Sequence, residues 1–262
     1  MIKNVAYTLL YVMSLAGIIF LAGFAADRSR NTPCSGPFVS IESRSGNYFI
    51  NAEKVHSLIT ERFDTLEGRT VSREKLQSMH TIVNGIPYVE TANVFRAGTG
   101  KLGIEITLRD PIIRVINRNN ESYYIDRNGY LFPLSEAHTA RVMVATGNIA
   151  AGYAPGRNVN SIGEDDAKAG MREANNLFKL ASFIDNDPFW RALIDHIHLL
   201  PGGKFELIPK NGAHTIEFGK AHQMEEKFSK LRLFYLNSLS QTGWHYYSRI
   251  NLEYRNQIIC SR

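Results

Sequence analysis

The longest uncharged stretch of the chain lies close to its N terminus. Residues 5–26 read VAYTLLYVMSLAGIIFLAGFAA and carry no charged side chain. A helix rises about 1.5 Å per residue and the hydrocarbon core of a bilayer is about 30 Å thick, so a stretch of this length can cross it. We therefore predict a transmembrane helix over residues 5–26, preceded by a short cytoplasmic tail at 1–4.

Two alternatives concern the processing and the orientation of this stretch. A secretory signal peptide has an apolar core of only about 7–15 residues, followed by small residues at a cleavage site. Cleavage near 23–25 stays an alternative, although the apolar core is long for it. The flanking charges nearly balance, with Lys3 on one side and Arg28 and Arg30 on the other. We place the bulk of the chain outside the cytoplasm because the apolar stretch is N-terminal and resembles an export signal.

Charge and cysteine content narrow the classes of partner. The net charge is +5 and the isoelectric point is about 9.1, but no block of five or six basic residues occurs. This scattered pattern does not predict a nucleic-acid partner. The two cysteines, Cys34 and Cys260, form neither a disulfide framework nor a zinc motif. A bridge between them stays an alternative in an oxidising compartment.

The first half of the chain after the span predicts a small mixed unit. Residues 27–37 are polar, contain prolines and indicate a linker. Over 38–110 the pattern is strand, helix, helix, strand, strand. Asn51 and Ser72 are suited to cap the two helices, and Gly85 follows the second helix. Apolar residues alternate cleanly over 102–108, which predicts a strand with one buried face.

Residues 111–262 change character and predict a β-rich domain. Asn128-Gly129 and Asn211-Gly212 are typical of two-residue hairpin turns. Apolar spacing predicts a helix over about 171–184, and Asp187-Pro188 predicts a short helical turn after it. A long helix runs from Met224 to Tyr235. The chain closes on one extended segment, 244–262, as a final edge strand. The predicted fold class is α+β.

Three motifs resemble catalytic or ligand-binding signatures. Residues 98–103 match G-x-G-x-x-G, but strands flank both sides, whereas dinucleotide binding needs a following helix. Ser72 and Lys75 match S-x-x-K, but Ser72 is already suited to cap a helix. His196 and His198 lie two apart on a strand and form a possible metal half-site without a second cluster. We predict no catalytic, cofactor-binding or metal site from these motifs, and an enzyme stays an alternative that has no positive signal in these residues.

The C-terminal segment has a physical mechanism for binding another protein. Ile250, Leu252 and Tyr254 alternate with polar residues, so one face of an extended segment is apolar. A strand at a sheet edge offers free N–H and C=O groups to the strand of a partner. The alternative is an ordinary strand with a frayed tail.

The order of these elements resembles a known family. A single N-terminal span followed by strand-helix-helix-strand-strand resembles a POTRA domain attached to a membrane. Residues 111–115, PIIRV, through 124–133, YIDRNGYLFP, resemble the start of the β domain of the bacterial cell-division proteins FtsQ/DivIB. Residues 247–260, YSRINLEYRNQIIC, resemble the last strand of that family. The likeness covers nearly the whole chain, from a POTRA domain at 38–110 to a β domain at 111–262.

The resemblance implies a non-enzymatic divisome scaffold in the inner membrane, with its bulk in the periplasm and enriched at the division septum. Its implied partners are the small bitopic proteins FtsB and FtsL and the membrane lipid. It has no implied cofactor, nucleic acid or small-molecule substrate. Its implied role is to recruit these partners and to help control septal peptidoglycan synthesis. The implied contact, by strand addition, falls on these partner-binding residues: Ile250, Leu252, Tyr254, Gln257, Ile258, Ile259 and Cys260.

This sequence also departs from the family pattern. The cytoplasmic tail is nearly absent, and few residues follow the last predicted strand. Two other functions remain as alternatives. One is a membrane-anchored envelope enzyme, whose site would have to join distant residues such as His196 and His198. The other is an assembly factor bearing POTRA domains, a class that usually repeats the unit, and no internal repeat is found here.

Overall fold

The computed structural model describes residues 12–21, 23, 34, 36–63, 68, 71–97, 100–161, 169–255 and 257–262. Half of the predicted span at 5–26 and most of the predicted linker at 27–37 lie outside these residues, and residues 12–21 are helical. Within the described ranges, no helix combines the length and the apolar character that a bilayer crossing requires. The chain divides into two compact units, and it passes between them three times.

Unit 1 contains the described residues up to Ser43 and Ile50–Leu108. Its elements follow the predicted order and are β1 (Pro37–Glu42), α1 (Ala52–Phe63), α2 (Arg73–Asn84), β2 (Val89–Arg96) and β3 (Leu102–Leu108). The sheet order is β1-β3-β2, with β1 parallel and β2 antiparallel to β3. The apolar faces of both helices and of β3 form one core, which includes Val55, Ile59, Met79, Val83 and Ile104.

Local capping explains where the helices of unit 1 begin. The Asn51 side-chain oxygen accepts a hydrogen bond from the backbone N–H of Lys54, and Ser72 Oγ accepts one from that of Lys75. Each cap satisfies a donor that the first helical turn leaves free. The contact also accounts for the S-x-x-K pattern, since the Ser72 side chain serves as a cap. Helix α2 ends at Asn84, directly before Gly85, as predicted.

The G-x-G-x-x-G pattern lies in the antiparallel β2–β3 hairpin, where residues 98 and 99 are not described. Gly103 pairs with Phe95 across the hairpin. A Cβ atom at this glycine would lie 2.5 Å from the Phe95 ring, so the glycine leaves room for that ring. This glycine therefore has a packing role between two strands, and no helix follows it.

Unit 2 contains Arg44–Phe49 and Arg109–Arg262. Among its described residues, the sheet has nine strands in the order β12-β11-β10-β9-β8-β7-β4-β5-β6. The pairs β4/β7, β7/β8 and β10/β11 are parallel, and the other neighbours are antiparallel. The strands are β4 (Pro111–Ile116), β5 (Ser122–Asp126), β6 (Leu131–Pro133), β7 (Met143–Gly147), β8 (Ile194–Leu200), β9 (Lys204–Pro209), β10 (Thr215–Gly219), β11 (Arg249–Asn251) and β12 (Ile259–Ser261).

The helices of unit 2 pack on this sheet through one core. They are α3 (Ala169–Asn186), α4 (Pro188–Leu193), α5 (Met224–Phe234), a π-helical segment (Tyr235–Leu239) and α6 (Ser240–Thr242). Asp187 caps α4 and accepts a hydrogen bond from the Phe189 N–H at 2.9 Å, with Pro188 in the first turn as predicted. The buried Trp190 ring lies 4.9 Å from that of Phe228, which ties α4 to α5.

A short segment of the predicted POTRA region belongs to unit 2. Arg44–Phe49 follows β1, yet the buried Phe49 ring lies 5.4–5.6 Å from the rings of Tyr124, Phe132 and His138. Ser135 Oγ donates a hydrogen bond to the Phe49 carbonyl oxygen. The sequence did not predict this placement, because the segment carries no periodic pattern that specifies its partners.

Both predicted two-residue hairpin turns are longer in the structure. Between β5 and β6, Asp126 and Tyr130 are the closing pair, which leaves the three residues 127–129 in the turn. Only Gly129 there has a positive φ, +87°. A two-residue type I′ turn needs positive φ at both central residues, so the turn takes the three-residue form instead. The Asn211-Gly212 pair lies in a five-residue connection, 210–214, between β9 and β10.

Candidate partner-binding edge

The C-terminal segment forms two short strands, which corrects the prediction of one extended strand over 244–262. Strand β11 lies parallel to β10, and β12 turns back antiparallel on β11 with Ile250 opposite Cys260. Asn251 ends β11 because its side-chain oxygen accepts a hydrogen bond from the Glu253 N–H at 2.8 Å. This local turn competes with continued extension.

Two of the predicted site residues, one on β11 and one directly after it, lie inside the molecule. Ile250 and Leu252 are fully buried in the core of unit 2. Ile258 and Cys260 are partly buried and pack against the same core. Burial raises the pKa of the Cys260 thiol, and both Cys260 and Cys34 are free cysteines. These four side chains therefore anchor the hairpin to the core.

The remaining predicted site residues face solvent. Tyr254 is 50% exposed and Ile259 is 45% exposed, and Gln257 is also exposed. Strand β12 lies at one edge of the sheet and β6 at the other, and among the described residues no strand pairs with the far side of β12. An outermost strand presents a row of backbone donors and acceptors to solvent. The structure thus brings an exposed edge and exposed side chains together on a hairpin that the core supports.

Hydrogen bonds between polar side chains on one face of the sheet hold β11 beside β10. One carboxylate oxygen of Glu217 accepts a hydrogen bond from Arg249, and the other accepts one from the Asn251 amide, both at 2.5 Å. Glu206 on β9 lies 3.7 Å from the same guanidinium. The sequence shows these residues only as a polar alternation, because their partners lie more than thirty positions away.

Helix α5 contacts the same region through two lysines that sequence reasoning missed. Lys227 is buried, and its Nζ donates to the carbonyl oxygens of Phe218 at 2.8 Å and Lys220 at 2.9 Å. Burial lowers the pKa of Lys227. Lys230 Nζ donates to the carbonyl oxygens of Tyr254 and Arg255, both at 2.8 Å. No sequence motif marks either lysine.

A buried histidine links the turn before β11 to the π-helical segment. His214 Nε2 lies 2.5 Å from the Tyr235 hydroxyl, and its Nδ1 lies 3.4 Å from the Trp244 carbonyl oxygen. The neutral ring fits this site when Nδ1–H donates to the carbonyl and Nε2 accepts from the hydroxyl. Burial is the main cause that lowers the pKa of His214 below its ordinary value.

This histidine predicts a loss of stability in mild acid. The unfolded chain takes up a proton at His214 below about pH 6.5, whereas the folded chain resists it. The contribution to the free energy of unfolding is therefore complete above about pH 6.5 and falls as the pH drops, with a slope approaching about 1.4 kcal/mol per pH unit. We expect His214→Gln to flatten the slope measured by denaturant unfolding between pH 7 and 5. The exposed His222→Gln serves as control, and an unchanged slope in His214→Gln contradicts the assignment.

Both histidines of the predicted metal half-site lie within hydrogen-bond distance of Thr146 in the structure. Thr146 Oγ1 lies 2.8 Å from His196 Nε2 and 3.0 Å from His198 Nδ1, so the three side chains share one face of the sheet. Burial is the main cause that lowers the pKa of His196. In the part of the chain that the structure describes, no group of three or more His, Cys, Asp or Glu side chains is placed to hold a metal ion.

Unit 2 is thus an α+β domain with a large sheet, and β12 is one of its two edge strands. The family model described as FtsQ/DivIB, C-terminal related, matches residues 110–261, more than half of the chain. The chain belongs to the FtsQ/DivIB family, a family of non-enzymatic cell-division scaffolds. Membership gives it a role in cell division and implies protein partners in a division complex. No curated protein sequence matches the chain.

Proposed function

We propose that this protein is a divisome scaffold that binds small bitopic division proteins of the FtsB and FtsL type by strand addition at β12. The observation that carries the proposal is that β12 is an edge strand of the domain that the family model matches and has the exposed Ile259 on it, whereas Leu131 and Phe132 of the other edge strand, β6, are buried. Backbone pairing supplies affinity in this mode of recognition, and side chains on one face supply selectivity.

The predicted contact residues divide into three groups in this proposal. Tyr254, Gln257 and Ile259 are exposed and contact the partner. Ile258 and Cys260 are partly buried and support the strand from below. Ile250 and Leu252 are fully buried, so they act by holding the hairpin on the core. Interface energy usually concentrates in a few residues, and the exposed Tyr254 and Ile259 are the best candidates here.

The remaining chain supplies the anchor and a second surface. We propose that residues 5–26 cross the inner membrane, that 27–37 link them to a POTRA domain at 38–110, and that the β domain spans 111–262 in the periplasm. The strand-helix-helix-strand-strand order and the β1-β3-β2 sheet of unit 1 support the POTRA assignment. This domain would serve recruitment to the septum, where the bound partners help control septal peptidoglycan synthesis.

Deletion of Gln257–Arg262 tests the proposal. The full-length chain and the deletion variant are purified in detergent from their own cells, and co-purifying single-span proteins are identified. We expect the intact chain to retain FtsB- and FtsL-like proteins and the deletion variant to lose them. Amide exchange of β7–β9 in the deletion variant verifies that the rest of unit 2 stays folded.

Two results would contradict the proposal. Partners retained by a folded deletion variant would place the contact on unit 1 or on the membrane span. The absence of such partners even from the intact chain would favour the envelope-enzyme or assembly-factor alternatives.

A further inference from the structure

Two lysines on successive turns of α5 hold the ends of two neighbouring strands. Strands β10 and β11 are parallel, so their carboxyl ends lie at the same end of the sheet. Lys227 and Lys230 are three positions apart and therefore project from one side of the helix. Lys227 donates to two carbonyl oxygens just at the end of β10, and Lys230 donates to two that follow β11.

The two lysines support different parts of the sheet. Lys227 is buried, and it supports β10, an interior strand of the sheet. Lys230 is only partly buried, and its acceptors, Tyr254 and Arg255, lie in the connection between β11 and β12. Both strands of that hairpin are only three residues long, so the ladder between them holds few hydrogen bonds. Hydrogen bonds from a charged donor are about twice as strong as neutral ones.

The core holds Leu252 and Ile258 at the two ends of this connection, and between them the restraints other than Lys230 are weaker or more exposed. Glu253 pairs with Lys204 at 3.0 Å, but both side chains are substantially exposed to solvent. Exposed ion pairs contribute little to stability. Glu226 on α5 lies 3.8 Å from Lys230 Nζ and neutralises part of its charge without bonding to the connection. Lys230 is thus the side chain that ties the backbone of this connection to the helix.

We infer that Lys230 is a positioning residue, which holds the β11–β12 connection so that β12 is ordered for pairing before a partner arrives. The inference rests on the proposed function, since it assigns Lys230 to the strand that receives the partner. A strand ordered in advance loses less conformational freedom on binding, and affinity rises accordingly. Lys230 itself does not contact the partner in this account.

Three full-length variants test the inference. Lys230→Met removes the donors and keeps the length of the side chain, and Lys230→Arg keeps both charge and donors. Lys220→Met is the matched control, because it removes the same charge from an exposed side chain whose backbone carbonyl stays in place. For each variant, we measure amide exchange by residue, denaturant unfolding, and binding of the organism's FtsB-like protein in detergent.

We expect Lys230→Met to exchange the amides of 257–261 about tenfold faster and to bind the FtsB-like protein about tenfold more weakly, with β7–β9 unchanged. Lys230→Arg should restore both values, and Lys220→Met should match the unsubstituted chain. The inference is overturned when Lys230→Met and Lys220→Met give the same exchange rates, whatever the partner does. Normal exchange rates together with loss of binding would also overturn it, because they would make Lys230 a direct contact.

The same set of proteins separates this inference from the proposed function. Binding that survives deletion of Gln257–Arg262 contradicts strand addition, while the exchange rates still decide whether Lys230 orders the hairpin. Binding that the deletion abolishes and Lys230→Met leaves intact contradicts only the positioning role.

Discussion

Replacement of Phe49 by alanine is expected to destabilise unit 2 by about 3–5 kcal/mol, the usual cost of removing a buried aromatic side chain. The Phe49 ring is 2% exposed and packs against Tyr124 and Phe132, which lie on β5 and β6. Removal of the ring leaves a cavity among large side chains that cannot collapse without moving both strands. The effect is unusual because Phe49 lies between two segments of unit 1 in the sequence, yet its side chain stabilises unit 2.

Amide exchange by residue measures this effect, because it reports each unit separately. In Phe49→Ala the amides of β5 and β6 should lose protection, while those of α2 and β3 should keep it. Tyr48→Ala is the matched control, since the adjacent Tyr48 is 52% exposed. Equal protection in the two variants would show that the segment Arg44–Phe49 does not stabilise unit 2.

Replacement of Asp126 by alanine is expected to cost about 3 kcal/mol or more, because it breaks a buried ion pair on one side only. The buried Asp126 carboxylate accepts a hydrogen bond from Arg109 at 2.7 Å and from the backbone N–H groups of Asn128 and Tyr130 at 2.9 and 2.8 Å. The substitution removes the carboxylate from Arg109 and the acceptor from the β5–β6 turn together. The destabilisation therefore has two parts: Arg109 loses its partner in a buried site, and the backbone N–H groups of the turn lose their acceptor.

Two further variants separate these contributions in denaturant unfolding of unit 2. Asp126→Asn keeps an oxygen for the two backbone N–H groups and removes the charge, so its loss should be smaller than that of Asp126→Ala. Asp195→Ala, at an exposed position of the same unit, should change the free energy of unfolding by less than about 0.5 kcal/mol. A loss in Asp126→Ala no larger than that in Asp195→Ala would contradict the buried-pair account.

The sequence specified most helices and strands because their signals are local. Leu102–Leu108 has the predicted bounds, since alternation and flanking turn residues define a strand without knowledge of its partners. Capping residues did the same for helices, as Ser72 and Asp187 show. The predicted FtsQ/DivIB relationship is confirmed by the family model over residues 110–261.

The order of the strands and the placement of Arg44–Phe49 were not predictable in the same way. Strand β7 pairs with β4 and β8, and β8 begins 47 residues after β7 ends, so long-range burial rather than local pattern decides the pairing. The Asn128-Gly129 turn was predicted too short because Asp126 accepts hydrogen bonds from within the turn and favours the longer form. Such side-chain contacts are invisible to a rule that reads two residues.

The candidate site was predicted in location but not in detail. Alternation placed Ile250, Leu252 and Tyr254 on one apolar face, whereas the turn at Asn251 ends the strand and leaves only Tyr254 exposed. The importance of Lys230 depends on two carbonyl groups 24 and 25 positions away, so no local pattern marks it. Whether a residue is exposed at a sheet edge depends on the order of all the strands. The sequence pattern shows only which residues alternate, so it could not predict this exposure.

The most direct test of the proposed function compares one substitution on two sheet edges. Ile259 lies on β12, and Phe38 is 67% exposed on β1, an edge strand of the sheet in unit 1. A lysine on an edge strand discourages pairing by another strand. The measurement is the dissociation constant of the organism's FtsB-like protein with full-length Ile259→Lys and Phe38→Lys.

Strand addition at β12 predicts that Ile259→Lys weakens binding by about tenfold or more, while Phe38→Lys leaves it unchanged. Equal affinities for Ile259→Lys and the unsubstituted chain, or a loss confined to Phe38→Lys, would contradict a partner site at β12.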